Sequence, residues 1–173
     1  MEIHNFQIAE LDVQIIFRDT TVNGMHLLRS FEPFRVDKIA EKPFFRLTVD
    51  DSLTPIPKER RQRIRAFDTG NGDTVVDRID DGSYQYIIKD IEGNECSLLE
   101  SNKDFSDCQC ALRGNHNMRT FGLNNALMLI FAFAGAHQHL LLIHASLVRN
   151  NDYGYAFIAK SGTGKSTQVS MWL

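Results

Sequence analysis

The chain has 173 residues, of which 43% are hydrophobic and 24% are charged, with 11 Gly and 4 Pro. This composition excludes a disordered, collagen-like or low-complexity chain, and the length suits one compact domain or part of a larger protein. The 19 basic and 22 acidic residues leave a net charge of −3, which argues against nucleic-acid binding through a basic surface.

The cysteine count and the apolar segments predict a cytoplasmic protein without a membrane span. Three cysteines are too few, and odd in number, for a disulfide scaffold. The first residues lack the basic and apolar regions of an export signal. Residues 126–136 are apolar, but His137 and His139 interrupt them, and a span needs about 18 continuous apolar residues. We therefore expect a buried helix followed by a buried strand.

The first two thirds of the chain are predicted to be β-rich. Strands are expected over residues 12–17, 44–49, 74–79, 84–88, 96–99 and 107–112, which are rich in apolar and β-branched residues. Asp81-Gly82 supplies the positive φ of a tight turn, so an antiparallel meander is expected there. Residues 58–65 carry five basic side chains and are interpreted as a solvated loop or short helix face.

The sequence pattern changes near Thr120 from predicted strands to a predicted apolar helix. Asn124 or Asn125 is predicted to cap an apolar helix that ends near residues 135–137 and is central to the fold. A buried strand over residues 140–148, a turn and a second strand over residues 153–159 should follow. The predicted organisation is therefore a β-rich region, residues 1–119, and a second region, residues 120–173.

Residues 155–168 carry the pattern of a phosphate-binding loop, in which an apolar strand leads through glycines into Gly-Lys-Ser and a helix start. The loop residues are Ser161, Gly162, Thr163, Gly164, Lys165, Ser166 and Thr167. The two glycines lack a Cβ, so the backbone can wrap a phosphate with several N–H groups pointing inward. Lys165 would contact the β- and γ-phosphates, Ser166 would bind Mg²⁺, and Thr167 would bond the α-phosphate.

One position departs from the general phosphate-loop pattern. The first glycine of the motif would stand five positions before Gly164, where this chain has Ala159. Alanine tolerates the conformation of a strand end, so phosphate binding remains compatible with the sequence. An ordinary glycine-rich turn is the alternative interpretation.

The segments Leu142-Ile143-His144-Ala145-Ser146-Leu147-Val148 and Ser161-Gly162-Thr163-Gly164-Lys165-Ser166-Thr167 together resemble the HPr kinase/phosphorylase family, a relative of phosphoenolpyruvate carboxykinase. The resemblance covers residues 120–173. It implies an α+β fold in which the antiparallel region precedes the start of a P-loop domain: a helix, two strands, the loop and a helix. It also implies that His144 lies near the transferred phosphate. The alternative is that His144 is a core histidine with satisfied hydrogen bonds. The residue spacing disfavours two possible metal sites, one at His137, His139 and His144 and the other at Cys108, Cys110 and His116.

Two functions from different classes remain open. The resemblance implies an ATP- or GTP-dependent, Mg²⁺-requiring phosphotransferase that acts on a serine or another hydroxyl of a protein, peptide or small molecule. Because the carboxylates of this family follow the loop, the chain is expected to be truncated and inactive by itself. The alternative is a non-catalytic module that binds a nucleotide or a partner. An exposed sheet edge near residue 159 favours self-association into a homo-oligomer.

Overall fold

A computed structural model describes residues 1–68, 72–160 and 162–172. The chain divides into two compact units, Met1–Leu140 and Leu141–Leu173. The composition change near Thr120 thus does not coincide with this division, because the long helix that follows it belongs to the first unit.

The first unit contains a nine-stranded mixed sheet. Its strands are β1 (Glu2–Ile8), β2 (Leu11–Phe17), β3 (Arg35–Val36), β4 (Phe45–Val49), β5 (Arg61–Asp68), β6 (Asp73–Ile79), β7 (Tyr84–Lys89), β8 (Glu95–Ser101) and β9 (Asp107–Leu112). The order across the sheet is β3-β1-β2-β4-β9-β8-β7-β6-β5. Strand β4 lies parallel to β2 and β9, and the other pairs are antiparallel. Short 3₁₀ turns cover Met25–Leu27, Arg29–Phe34 and Lys58–Arg60.

The six strands predicted from the sequence are confirmed, and strands β6 to β9 form the expected antiparallel meander. Gly82 has a φ of +86° in the turn between β6 and β7, a conformation that glycine adopts without strain. The interpretation of residues 58–65 as a loop or helix face is wrong for residues 61–65. These residues form part of β5, the edge strand that pairs with β6.

Helix α1 (His116–Ala136) packs on β7, β8 and β9. It begins earlier than predicted, because the Asn115 side chain accepts hydrogen bonds from the N–H groups of Asn117 and Met118. The predicted caps, Asn124 and Asn125, instead lie inside the helix. The expectation of a helix central to the fold is met on one face only, since Met128 on the opposite side is 45% exposed.

The hydrophobic core lies between α1 and one face of the sheet. Leu123, Leu127 and Ile130 of the helix are buried there with sheet residues that include Leu99 and Cys110. A Cβ on Gly122 would lie 2.6 Å from the carbonyl oxygen of Cys96. Glycine at this position therefore allows the helix to approach the sheet closely.

The second unit contains a β-hairpin and a short helix. Strands β10 (Ser146–Asn150) and β11 (Tyr153–Phe157) are antiparallel, and α2 covers Lys165–Ser170. The predicted buried strand over residues 140–148 is wrong for residues 140–145, which have no regular secondary structure. Leu141 is 82% exposed and Leu142 is 52% exposed.

The predicted fold class is wrong. The sequence indicated an α+β fold ending in the start of a P-loop domain similar to that of HPr kinase, with the apolar helix as its first element. In the structure this helix packs on the nine-stranded sheet, which dominates a mostly β-rich molecule. An apolar helix predicts burial but not the element that buries it, and here the meander provides the surface. None of the helices formed by the described residues is long and apolar enough to cross a membrane.

Candidate phosphate-binding loop

The β10–β11 hairpin of the second unit places His144 and the start of the candidate loop at its open end. Asn150 pairs with Tyr153 at the turn, and Ser146 pairs with Phe157 at the open end. His144 precedes this last pair by two residues, and Ala159 follows it by two. The histidine and the loop therefore leave the hairpin from the same end, although His144 itself lies outside the strand.

The loop of residues 160–167, called the Gly-Lys loop below, bends at its two glycines. Gly162 and Gly164 have φ values of +79° and +86°. Residues with side chains rarely adopt this left-handed conformation, so the backbone explains why glycine stands at both positions. A Cβ at either position would find no atom within 4 Å. The space beside both glycines is therefore open, and Ser161 lies outside the described residues.

Lys165 folds back over the loop. Its Nζ donates hydrogen bonds to the carbonyl oxygens of Ala159 at 2.9 Å and Lys160 at 3.0 Å. The Thr163 hydroxyl donates to the carbonyl oxygen of Lys160 at 2.8 Å. The two bonds from Nζ hold the ammonium group between the end of β11 and the start of α2, and the Thr163 bond closes the loop beside it.

Several donors of the Gly-Lys loop have no partner in the part of the chain that the structure describes. The backbone N–H groups of residues 163–166 donate none of the hydrogen bonds found there. The side chains of Ser166 and Thr167 are exposed, on the first turn of α2. Among the described residues, the loop therefore presents backbone N–H groups without an acceptor and two exposed hydroxyls beside a lysine ammonium, which is the chemistry that recognises an anion.

Trp172 was not singled out from the sequence, although it supports the loop. Its ring lies 5.0 Å from that of Tyr155 and 6.0 Å from that of Phe157, measured between centroids. These contacts pack the end of α2 against β11. The only signal in the sequence was the single tryptophan, seven residues after Lys165.

His144 is exposed, and the structure does not place it in a core. The interpretation as a satisfied core histidine is therefore wrong. The hydrogen bonds of the described residues include none to its ring.

The cysteines of the first unit have a structural role. Cys108 and Cys110 are buried on the same face of β9, as their alternation predicts, and burial raises the pKa of both thiols.

No group of three His, Cys, Asp or Glu side chains suited to a metal ion occurs among residues 1–68, 72–160 and 162–172.

No protein-family model matches the chain, and no curated protein and no solved structure matches it either. The functional interpretation therefore depends on the loop and its residues.

Proposed function

We propose that the Gly-Lys loop binds the polyphosphate group of a nucleoside triphosphate, ATP or GTP. The observation that carries this proposal is the pair of left-handed glycines with open space beside them, followed by Lys165. A loop of this shape lets phosphate oxygens approach the backbone N–H groups closely. The proposal concerns this local geometry and does not depend on the domain architecture predicted from the sequence.

Lys165 would exchange its two carbonyl partners for phosphate oxygens. Both acceptors, the carbonyl oxygens of Ala159 and Lys160, are neutral. A hydrogen bond from an ammonium to a charged phosphate is about twice as strong as one between neutral groups, so the exchange favours the bound state. The flexible lysine side chain allows this movement without a change in the backbone.

Mg²⁺ fits the site as the companion of the nucleotide. Ser166 presents an exposed hydroxyl directly after Lys165, and an oxygen ligand of this kind suits Mg²⁺. The ion would neutralise phosphate charge. Thr167 would complete the polar surface of the loop as a hydrogen-bond partner of the α-phosphate.

The resemblance to HPr kinase extends the proposal to a reaction. The protein would be a phosphotransferase that uses the bound nucleotide to phosphorylate a serine or another hydroxyl, and His144 would lie near the transferred phosphate. Support comes from the hairpin register, which brings residues 144 and 159 to one end of the two strands. A cytoplasmic location follows for this activity, and the three free cysteines suit its reducing conditions.

A second candidate function is binding without catalysis. Asp152 is the only acidic residue between residues 141 and 173. It lies at the β10–β11 turn, away from the Gly-Lys loop, with 95% of its side chain exposed. Phosphoryl transfer requires a carboxylate to help hold Mg²⁺ and a base for the acceptor, and Asp152 is not placed for either role. Nucleotide binding needs only the groups of the Gly-Lys loop, so a nucleotide-binding module is the second candidate.

Binding of ATP with Mg²⁺, measured by isothermal titration calorimetry, tests the proposal. We expect Lys165→Ala to weaken binding about tenfold or more, because a charge-assisted hydrogen bond is lost. Arg149→Gln is the matched control, since Arg149 is a cation of the same unit, 78% exposed at the other end of the hairpin. The Arg149→Gln variant should bind ATP with the same affinity as the wild type.

Equal affinities of the wild type and Lys165→Ala would refute nucleotide binding by the Gly-Lys loop. A parallel assay for ADP release in the presence of hydroxyl acceptors separates the two candidate functions. Release that depends on Lys165 supports the phosphotransferase, and binding without release supports the module.

A further inference from the structure

The first unit carries a groove that is unrelated to the Gly-Lys loop. It lies between the end of α1 and strands β5 to β7 and has a volume of about 600 Å³. Small-molecule sites typically measure about 300–1,000 Å³, so the groove has the size of a ligand site. All of its lining residues belong to residues 64–137 of the first unit.

The floor of the groove is aromatic. The Phe105 ring lies between Tyr84 and Phe133, with ring centroids 5.7 and 4.9 Å away and interplanar angles of 19° and 21°. Tyr86 adds a fourth ring, 5.8 Å from Phe133. Phe105 and Tyr86 are buried, whereas Phe133 is 40% exposed and opens to the groove. The exposed part of the Phe133 ring is thus a surface on which another ring can stack.

Two cationic side chains, Arg65 and Lys103, line the groove. His137 also lines it, and no carboxylate does. All three side chains are exposed, and none of them takes part in an ion pair within the described residues. Unpaired cations on one groove of a protein with a net charge of −3 create a local attraction for anions.

We propose that this groove binds a small planar aromatic anion, with the ring of the ligand on Phe133 and its acidic group beside Arg65 and Lys103. The apolar floor accounts for the aromatic part of the ligand, and the unpaired cations account for its charge. The volume of about 600 Å³ fits a ligand of two or three rings.

Two fluorescent probes of nearly equal shape test both parts of the proposal. 8-Anilinonaphthalene-1-sulfonate carries an acidic group, and N-phenyl-1-naphthylamine has the same rings without it. We expect saturable binding of one sulfonate probe per folded chain. The neutral probe should bind about fivefold more weakly, because exposed ion pairs contribute modestly. Equal affinities for the two probes would contradict the role of the cations.

Substitutions locate the probe in the groove. In the double variant Arg65→Gln, Lys103→Gln, the affinity for the sulfonate probe should fall to the value for the neutral probe. The affinity for the neutral probe should be the same as in the wild type. Arg78→Gln is the matched control, because Arg78 is an exposed arginine of the same sheet that does not line the groove. Phe133→Leu keeps an apolar side chain but removes the exposed ring. It should lower the affinity for both probes.

The unfolding transition of each variant, followed by far-ultraviolet circular dichroism, shows whether it is folded. The charged positions are exposed and unpaired, so the double variant should unfold like the wild type. An unchanged sulfonate affinity in the folded double variant would show that the probe binds elsewhere and would overturn the proposal.

Discussion

Asp77 is a buried charge whose role is structural. Its side chain is 2% exposed on β6, and its carboxylate accepts hydrogen bonds from Arg61 and Arg63 of the neighbouring β5. Burial alone would raise the pKa of this carboxyl, but the hydrogen bonds and charges of the two arginines lower it below the usual 3.8. The arginines that look like a basic cluster in the sequence thus attach an edge strand to the sheet.

We predict that Asp77→Asn lowers the free energy of unfolding at neutral pH by about 2–3 kcal/mol, because Arg61 is left as a buried charge without its partner. Arg63 is 54% exposed and is solvated by water, which keeps the loss below that of a fully buried triad. Urea denaturation measures this difference. Asp80→Asn, an exposed change three residues away, should alter stability by less than about 0.5 kcal/mol.

The loss of stability in Asp77→Asn depends on pH. Because the pKa of Asp77 is lower in the folded state than in the unfolded chain, its charge stabilises the fold fully above about pH 4. This contribution is lost as the pH falls through the folded-state pKa. The difference between the wild type and Asp77→Asn should therefore shrink in urea titrations below about pH 4. A constant difference from neutral to acid pH would contradict the assignment.

At the scale of the element, α1 shows where a helix begins. Asn115 accepts hydrogen bonds from Asn117 N at 3.0 Å and Met118 N at 3.1 Å. The side chains of Asn124 and Asn125 donate instead to the carbonyl oxygens of Thr120 and Phe121, one turn earlier. The sequence pattern indicated Asn124 or Asn125 as the cap, whereas the backbone conformation gives this role to Asn115.

We expect Asn115→Ala to destabilise the first unit by about 1 kcal/mol, because two N–H groups lose their acceptor. Asn124→Ala is the control, and it should change stability by less than about 0.5 kcal/mol, since alanine favours the helix interior. Thermal and urea unfolding of the two variants measure the difference. The reverse order of stabilities would show that the helix is capped where the sequence pattern placed it.

Six of the nine strands of the first unit could be predicted because their signals are local, whereas β1, β3 and β5 were not predicted. Asp81-Gly82 specifies a turn, and the apolar residues on either side of it form β6 and β7. Residues 140–145 were not predictable in the same way. An apolar run indicates burial in either a helix or a strand, but it contains no information about the partner that would bury it. The two left-handed glycines of the Gly-Lys loop are again a local signal, which is why that loop could be found from sequence.

At the scale of the whole molecule, the sheet order depends on contacts between distant residues. The Asp51 carboxylate accepts from the N–H of Leu112 at 2.9 Å and from Arg119 at 2.7 Å. It thereby fixes the end of β4 beside the end of β9 and the start of α1. No spacing in the sequence relates residues 51, 112 and 119. The parallel pairs of β4 could therefore not be predicted from the chain, whereas the adjacent antiparallel strands could.

The distribution of buried side chains predicts how the chain unfolds. Every buried residue of the hydrophobic core cluster lies between Phe6 and Ala134. In the second unit, Val148 is the one buried hydrophobic side chain among the described residues. Domains shorter than about 40 residues rarely bury enough apolar surface to fold alone. Residues 1–140 should therefore fold cooperatively by themselves, and residues 141–173 by themselves should not.

Trp172 makes this prediction measurable in the intact chain, because it is the only tryptophan and belongs to the second unit. Its fluorescence during urea denaturation should change at a lower urea concentration than the far-ultraviolet circular dichroism, which is dominated by the first unit. A separately expressed chain of residues 1–140 should keep the circular-dichroism transition of the full protein. Coincident transitions in the full chain, together with an unfolded 1–140 fragment, would mean that the two units stabilise each other and fold as one.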